Sequence, residues 1–360
     1  MRAALALARR GLGHVWPNPA VGCVIVGTDG TVVGRGWTQP GGRPHAETEA
    51  LDRAGALTRG ATVYVSLEPC NHHGRTPPCS EALIAAGVAR VVAAIQDPDP
   101  RVSGGGLARL REAGIDVTEG VCAAEAAEVN AGFLLRMGQG RPLVTLKAAT
   151  TLDGRIATAT GESRWITGAA ARERAHLMRA THDAVMVGIG TARADDPDLT
   201  CRLPGLTDRS PVRIAMDARL DLSPVSRLAA TARTVPVWLI ALPGADAGRR
   251  AALEAQGVTV VEVAAGPDGY PDPAAAMRAL GERGLTRLLV EGGGILAAAL
   301  LRADLADRLA WFRAASVIGG DGRAAIAPFG VKGLDAMRRF VRTEVVGLGD
   351  DLLESYRRRD

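Results

Sequence analysis

Hydrophobic and polar positions along the chain fall into two periods that take turns. Short apolar runs at residues 21–26, 32–36, 62–67 and 90–95 read as strands, while helical spacing begins at Ala46, Cys79, Gly105 and Ala123. Beyond residue 142 the alternation returns, with strands predicted at 143–148, 184–187, 212–216, 237–242, 258–263 and 287–290 and helices cued at Ala169, Ala247, Pro273 and Ile295. Proline and glycine cluster at 204–211, 243–248 and 266–273, which read as surface loops. The pattern predicts an α/β layer fold. Asp29-Gly30 predicts a two-residue type I′ connection, so the first two strands should pair antiparallel.

Gly138-Gln139-Gly140-Arg141-Pro142 joins flexible residues to a helix breaker just before a new strand, which places a boundary between domains 1–138 and 142–360. The halves show no internal repeat. A length of 360 residues suits two folding units. With 47% hydrophobic and 23% charged residues, the composition excludes a disordered or collagen-like chain.

Aromatics at 3% leave little with which to build stacking surfaces, so no nucleic-acid partner is expected. The net charge of +4 changes the picture little, because the basic residues are dispersed. Arg9 and Arg10 cut the apolar run after Arg2 too early for a secretory leader, which makes a first amphipathic helix the expectation. No run approaches the roughly 20 apolar residues of a membrane helix, so the expected location is cytoplasmic, without a membrane partner. Five cysteines, an odd number, argue for thiols or a metal site over a disulfide framework.

Candidate chemistry enters at His45-Ala46-Glu47, which opens a predicted helix, and at Pro69-Cys70 and Cys79. One imidazole and two thiolates supply three zinc ligands and leave the fourth tetrahedral position for water, as a catalytic site requires. Zinc can bring such a water to a pKa of about 7, and Glu47 is placed to move its proton to a leaving amine. His-x-Glu followed by Pro-Cys-x-x-Cys is the signature of zinc nucleobase deaminases. This chain departs from it in the wider gap between Cys70 and Cys79. His72 and His73 are competing ligand candidates, read instead as substrate contacts or solvated groups; Cys23, Cys122 and Cys201 read as packing residues.

The loop Glu68-Pro69-Cys70-Asn71-His72-His73-Gly74-Arg75-Thr76-Pro77-Pro78-Cys79 closely resembles that of the bifunctional riboflavin-biosynthesis deaminase-reductase family. So do Pro17-Asn18-Pro19-Ala20-Val21-Gly22-Cys23 and Gln96-Asp97-Pro98-Asp99-Pro100. The resemblance spans nearly the whole chain and implies a cytidine-deaminase-like α/β/α layer domain followed by a dihydrofolate-reductase-like α/β domain. It implies hydrolytic deamination of a phosphorylated diaminopyrimidinone carrying ribosylamine, then reduction of the ribosyl unit to ribityl by NADPH. Asn18, His72, Arg75, Asp97 and Asp99 are the implied substrate contacts of the deaminase. Asp99 departs from the family's usual Asn, and an ionised Asp cannot donate a hydrogen bond.

In the second half the resemblance rests on Thr145-Leu146-Lys147, Leu152-Asp153-Gly154-Arg155, Ser163-Arg164-Trp165-Ile166-Thr167 and Gly190-Thr191 through Ala194-Asp195-Asp196-Pro197. It implies an NADPH site at Ala149, Trp165, Thr191, Asp195, Gly293, Gly294, Ile295, Leu296, Ala297, Ala298 and Ala299. Ser163, Arg179, Leu199, Arg202 and Glu291 are the implied substrate contacts. Glycines before the predicted helix would let backbone amides approach a pyrophosphate, although the turn lacks the Rossmann spacing and its ribose acid. Arg179 and Arg202 suit a sugar phosphate, because guanidinium forks bind its oxygens bidentately.

Two other classes compete: a tRNA or other nucleobase deaminase with an unrelated appended domain, and a non-catalytic ligand-binding relative. The first should keep the short cysteine gap and carry a basic, aromatic-bearing groove; against the second stand His45, Glu47, Cys70 and Cys79 together. A small phosphorylated pyrimidine is the expected partner, and a homo-oligomer the expected assembly.

Overall fold

The structure, a computed structural model, describes residues 1–72, 77–99 and 103–359. The chain falls into two compact units, Met1–Gly140 and Arg141–Asp360.

In the first unit α1 (Arg2–Ala8) precedes β1 (Gly22–Val26) and β2 (Val32–Trp37). There follow α2 (Ala46–Ala54), β3 (Thr62–Val65), α3 (Cys79–Ala85), β4 (Arg90–Ala93), α4 (Gly105–Glu112), β5 (Asp116–Thr118), α5 (Ala123–Val129) and α6 (Ala131–Gln139). The sheet runs β2-β1-β3-β4-β5, antiparallel across the first two pairings and parallel across the last two. Strand alternation sends Cys23 and Ile25 of β1 to one face, where they pack with Ala46 and Ala50 of α2, Leu83 of α3 and Leu107 of α4. Gly22 lies on the other face, against α1, and there Leu5 and Ala8 meet Ala126 and Val129 of α5. A Cβ on Gly36 would sit 2.1 Å from the Ala46 carbonyl oxygen, so α2 reaches the sheet over bare backbone and brings its N-terminus to the strand ends.

Two sequence expectations need correction here. The hairpin is antiparallel, but its connection has three residues: Gly27 N–H donates to Thr31 O at 2.8 Å and Gly30 N–H to Gly27 O at 3.0 Å. Only Gly30 of the Asp29-Gly30 pair has positive φ, whereas a type I′ turn needs both. Asp29 instead accepts from the Thr31 N–H and hydroxyl, which holds it on the ordinary side of φ. Gly138 and Gln139, read as part of a flexible joint, form the last turn of α6, and Gly140 at φ +70° ends it.

The second unit contains β6 (Leu143–Thr150), β7 (Arg155–Ala157), α7 (Ala169–Ala180), β8 (Ala184–Gly188), α8 (Ile189–Asp195), β9 (Val212–Met216), α9 (Arg227–Ala230) and β10 (Val237–Ala241). It continues with α10 (Ala247–Ala255), β11 (Thr259–Glu262), α11 (Pro273–Glu282), β12 (Arg287–Val290), α12 (Gly294–Arg302), β13 (Arg308–Arg313), β14 (Arg323–Ala324), β15 (Phe340–Leu348) and β16 (Asp351–Arg358). Its large sheet has the order β11-β10-β9-β8-β12-β6-β13-β16-β15. Pairing is parallel from β11 to β13 and antiparallel through β16 and β15. β7 and β14 form a separate small ribbon.

Near-continuous apolar runs such as Ala184–Gly188 and Val237–Ala241 are what a parallel sheet buried on both faces demands. The sheet's start is pinned by a buried bidentate pair, Arg141 to Asp307 at 2.7 and 2.9 Å, and Asp307 also accepts from the Val144 N–H. β13, β15 and β16 are absent from the sequence reading. Most of β15 is solvent-exposed, so its residues carry little apolar periodicity and pairing with β16 makes it a strand.

Candidate active sites

The N-cap of α2 is His45, the N-cap of α3 is Pro78, and Cys79 is the first residue of α3. Their backbones bring His45, Cys70 and Cys79 around one point, with the ligand atoms all within 4.8 Å of one another. His45 Nδ1 lies 3.3 Å from Cys79 Sγ and 3.6 Å from Cys70 Sγ. Tetrahedral zinc with ordinary Zn–N and Zn–S bonds separates such ligands by about 3.5 Å, so the three side chains fit the ion. The Cys79 thiol hydrogen-bonds to Cys70, which brings Cys70 down to about 4 and pushes Cys79 up. Two sulfurs sharing one proton is the arrangement that a cation replaces.

Glu47 sits in the first turn of α2, 4% exposed, and burial raises its carboxyl to about 7. It lines a pocket of about 250 Å³ together with Asn18, His45, Cys70, His72, Asp97 and Asp99. The sequence-expected groups of this half therefore converge, with Arg75 lying outside the described residues, as does His73. The Nδ1 of His72 is buried without a hydrogen-bond partner among the described residues. Asp97, raised to about 6 chiefly by burial, accepts from the Asp99 N–H at 2.9 Å. Asp99 is 7% exposed, so the residue that departs from the family pattern lies inside the pocket.

Two groups in the wall were missed in the sequence. Glu68 accepts from the N–H groups of Asp97, Gly104, Gly106 and Leu107, tying the Asp97 loop and the start of α4 to the end of β3. Phe133, Arg136 and Met137 of α6 also line the pocket. Their i, i+3, i+4 spacing was a legible signal for one helix face, but it does not say what that face covers.

In the second unit Thr191 follows β8, and Glu291, Gly293 and Gly294 follow β12, at the carboxyl ends of neighbouring parallel strands, where ligands of open α/β sheets bind. Gly292 and Gly293, at φ +139° and +83°, follow β12 and lead into α12, whose first residues are Gly294, Ile295, Leu296, Ala297, Ala298 and Ala299. A Cβ on Gly293 would be 3.3 Å from Thr191 Oγ1, so the turn and α8 are neighbours. A glycine cradle at the N-terminus of a nine-residue helix fits a dinucleotide's pyrophosphate. Ile295 is 81% exposed and Trp165 69% exposed, the latter with Arg172 4.6 Å over its ring. Arg164 donates to the Asp195 carbonyl oxygen at 2.9 Å, which links the Ser163–Trp165 segment to the end of α8.

Arg179 of α7 has a different first partner from the phosphate expected of it. Its guanidinium grips Glu291 at 2.5 and 2.9 Å and donates to the Thr200 carbonyl oxygen at 3.0 Å. Burial opposes the charge on Glu291, but Arg179 outweighs it and holds the carboxyl below its usual range; Lys147 Nζ lies 3.9 Å away. Leu199 is buried beside Thr200, while Arg202 is exposed and paired with Asp198 at 3.3 Å. Ala149 lies in β6, beside Phe312 of β13. A roomier cleft of about 480 Å³ near α10 contains none of the expected residues.

Comparison with known proteins follows the same division. The family described as the cytidine and deoxycytidylate deaminase zinc-binding region matches residues 1–95, and the RibD C-terminal domain matches residues 142–352. The chain is 42% identical to the riboflavin biosynthesis protein RibD of Escherichia coli, over 98% of this chain and 96% of that one. It is 39% identical to that of Bacillus amyloliquefaciens, over 98% and 94%. Among solved structures, RibD of Acinetobacter baumannii matches with a TM-score of 0.89 at 38% identity, covering 100% of this chain and 98% of that one. The diaminohydroxyphosphoribosylaminopyrimidine deaminase / amino-phosphoribosylaminouracil reductase of Thermotoga maritima matches at 0.86 and 35%, covering 100% and 97%.

Proposed function

The chain belongs to the bifunctional deaminase-reductase family of riboflavin biosynthesis, and from that premise we propose how its residues carry the two reactions. It is an enzyme with a zinc-dependent deaminase in its first part and a reductase in its second. The substrate of the first reaction is a diaminopyrimidinone bearing phosphoribosylamine. Water adds to the ring carbon that carries the 2-amino group, the bond from that carbon to the amine breaks, and ammonia leaves while the 5-amino and ribosylamino groups stay. His45 Nδ1 and the sulfurs of Cys70 and Cys79 would hold the zinc, which would supply Lewis acidity when bound. Glu47 takes the proton from water and passes it to the departing nitrogen; a carboxyl near 7 serves in both directions at neutral pH. Asn18, His72, Arg75, Asp97 and Asp99 hold the base and its phosphoribosyl arm.

In the second reaction the ribosyl unit, in its carbonyl form, would accept hydride from NADPH at carbon and a proton from solvent at oxygen, giving the ribityl chain and NADP⁺. Ala149, Trp165, Thr191, Asp195 and the Gly293–Ala299 segment hold the dinucleotide. Ser163, Arg179, Leu199, Arg202 and Glu291 hold the sugar phosphate, with Arg179 keeping Glu291 charged and oriented. The same reading includes domains of 1–138 and 142–360, a cytoplasmic location and a homo-oligomer, with no nucleic-acid or membrane partner.

The observation that carries the deaminase assignment is the convergence of His45, Cys70 and Cys79 on one point beside a buried Glu47. The purified chain, given the diaminopyrimidinone phosphate, should release ammonia without NADPH and consume NADPH only once deaminated product is present. NADPH consumption with no prior ammonia release would reverse the order proposed; neither signal from zinc-loaded protein would refute the reading.

A further inference from the structure

The match to the general zinc-binding region ends at residue 95, yet the zinc pocket is completed by a helix that comes later. Phe133, Arg136 and Met137 present one face of α6 to that pocket. The helix is fixed there by its N-cap residue, Asn130, which is 2% exposed. The Ala20 N–H donates to Asn130 Oδ1 at 2.9 Å, and Asn130 Nδ2 donates to the Ala20 carbonyl oxygen at 3.1 Å. Ala20 lies two residues after Asn18, so this reciprocal pair joins α6 to the loop of a pocket residue.

The charges in the pocket give the helix a task. Glu47, Glu68, Asp97 and Asp99 line it, with Asp97 and Asp99 joined through a backbone hydrogen bond. A phosphorylated ligand brings further negative charge, which a guanidinium fork can offset with bidentate hydrogen bonds. Among the described lining residues the arginines are Arg43 and Arg136. Arg43 acts electrostatically on His45, which puts it at the metal corner; Arg136 stands on the wall formed by α6.

Resting on the deaminase reading above, we propose that Arg136 binds the phosphate of the pyrimidine substrate, with the ring of Phe133 as the apolar floor beside it. α6 thereby restricts a general deaminase centre to a phosphorylated ligand. Burial lowers the pKa of Arg136, so its guanidinium has already lost part of its water and has less to lose when an anion arrives.

The test compares Arg136→Gln and Arg136→Lys with the parent in the full zinc-loaded chain, on the phosphorylated diaminopyrimidinone and on its dephosphorylated analogue. With the phosphorylated substrate Arg136→Gln should raise KM about 10- to 100-fold, the range of a hydrogen bond to a charged group, and leave kcat within about threefold. Arg136→Lys should recover part of the loss. On the dephosphorylated analogue, parent and Arg136→Gln should be alike. Unchanged zinc content and NADPH-dependent turnover of the deaminated product would show that the variant is folded. Equal losses on both substrates, no change on either, or loss of zinc would overturn the proposal. A parent chain that deaminates neither substrate would sink the deaminase reading itself.

Discussion

Gly42 lies so close beneath Asn18 that a Cβ added to it would sit 1.9 Å from the Asn18 Nδ2. Gly42 also has φ +84°, a conformation that side chains with a Cβ rarely adopt. Gly42→Ala should therefore displace Asn18 from the deaminase pocket and raise the deaminase KM at least tenfold, with zinc content unchanged. Because the damage passes through Asn18, the double variant with Asn18→Ala should be little worse than Asn18→Ala alone. Losses that multiply in the kinetic assay would show that Asn18 is not the conduit.

Glu47→Gln keeps the shape of the side chain and removes the carboxylate to which the proposed mechanism assigns the proton transfer. Deamination should fall by about 100- to 10,000-fold, the usual contribution of general acid-base catalysis. Zinc measured by atomic absorption should remain stoichiometric, and NADPH-dependent reduction of deaminated product should be untouched. Appreciable deamination by pure variant protein would remove Glu47 from the mechanism.

The Arg179–Glu291 pair lies largely out of water, with side chains 13% and 6% exposed. Removing Glu291 strips Arg179 of its carboxylate, and removing Arg179 leaves Glu291 with the more distant Lys147 at 3.9 Å, at a cost of up to about 3–5 kcal/mol. Glu291→Gln and Arg179→Met should each lower the urea midpoint of the second unit's unfolding and abolish reduction. The double variant should be more stable than Glu291→Gln while remaining inactive. If the two destabilisations simply add, the pair is not coupled as its geometry requires.

His182 supplies a pH test in the second unit. Burial, helped by Arg287, lowers its imidazole from 6.5 to about 4 while its ring bonds Met178 O and Thr145 Oγ1. Above pH 6.5 neither folded nor unfolded chain protonates this ring. Between 6.5 and 4 only the unfolded chain takes the proton, so stability drains as the pH falls, by about 1.4 kcal/mol per unit. The stability advantage of the parent over His182→Gln should shrink by about 2 kcal/mol between pH 7 and pH 5. An advantage that stays constant in urea titrations at both values would show that the ring charges in the folded state.

The grouping of His45, Cys70 and Cys79 beside Glu47 was legible because each lies in a short motif whose chemistry is local. His45 and Glu47 share one helix start, and Cys70 and Cys79 bound one loop. The α/β alternation was legible because buried parallel strands must be apolar throughout. The Asp29-Gly30 turn was misread by one residue, since Asp29 had two ways to satisfy its neighbours and the choice fell to hydrogen bonds with Thr31.

The order of the residues alone determined that the chain alternates strand and helix, that it carries three soft and nitrogen donors with a carboxylate beside them, and that glycines precede α12. Tertiary structure decided which distant groups meet. Arg179 finds Glu291 across 112 positions and Asn130 finds Ala20 across 110. Periodicity records only whether a residue faces inward; the partner it meets there is set by how the elements pack, and burial then fixes the charge each group can hold.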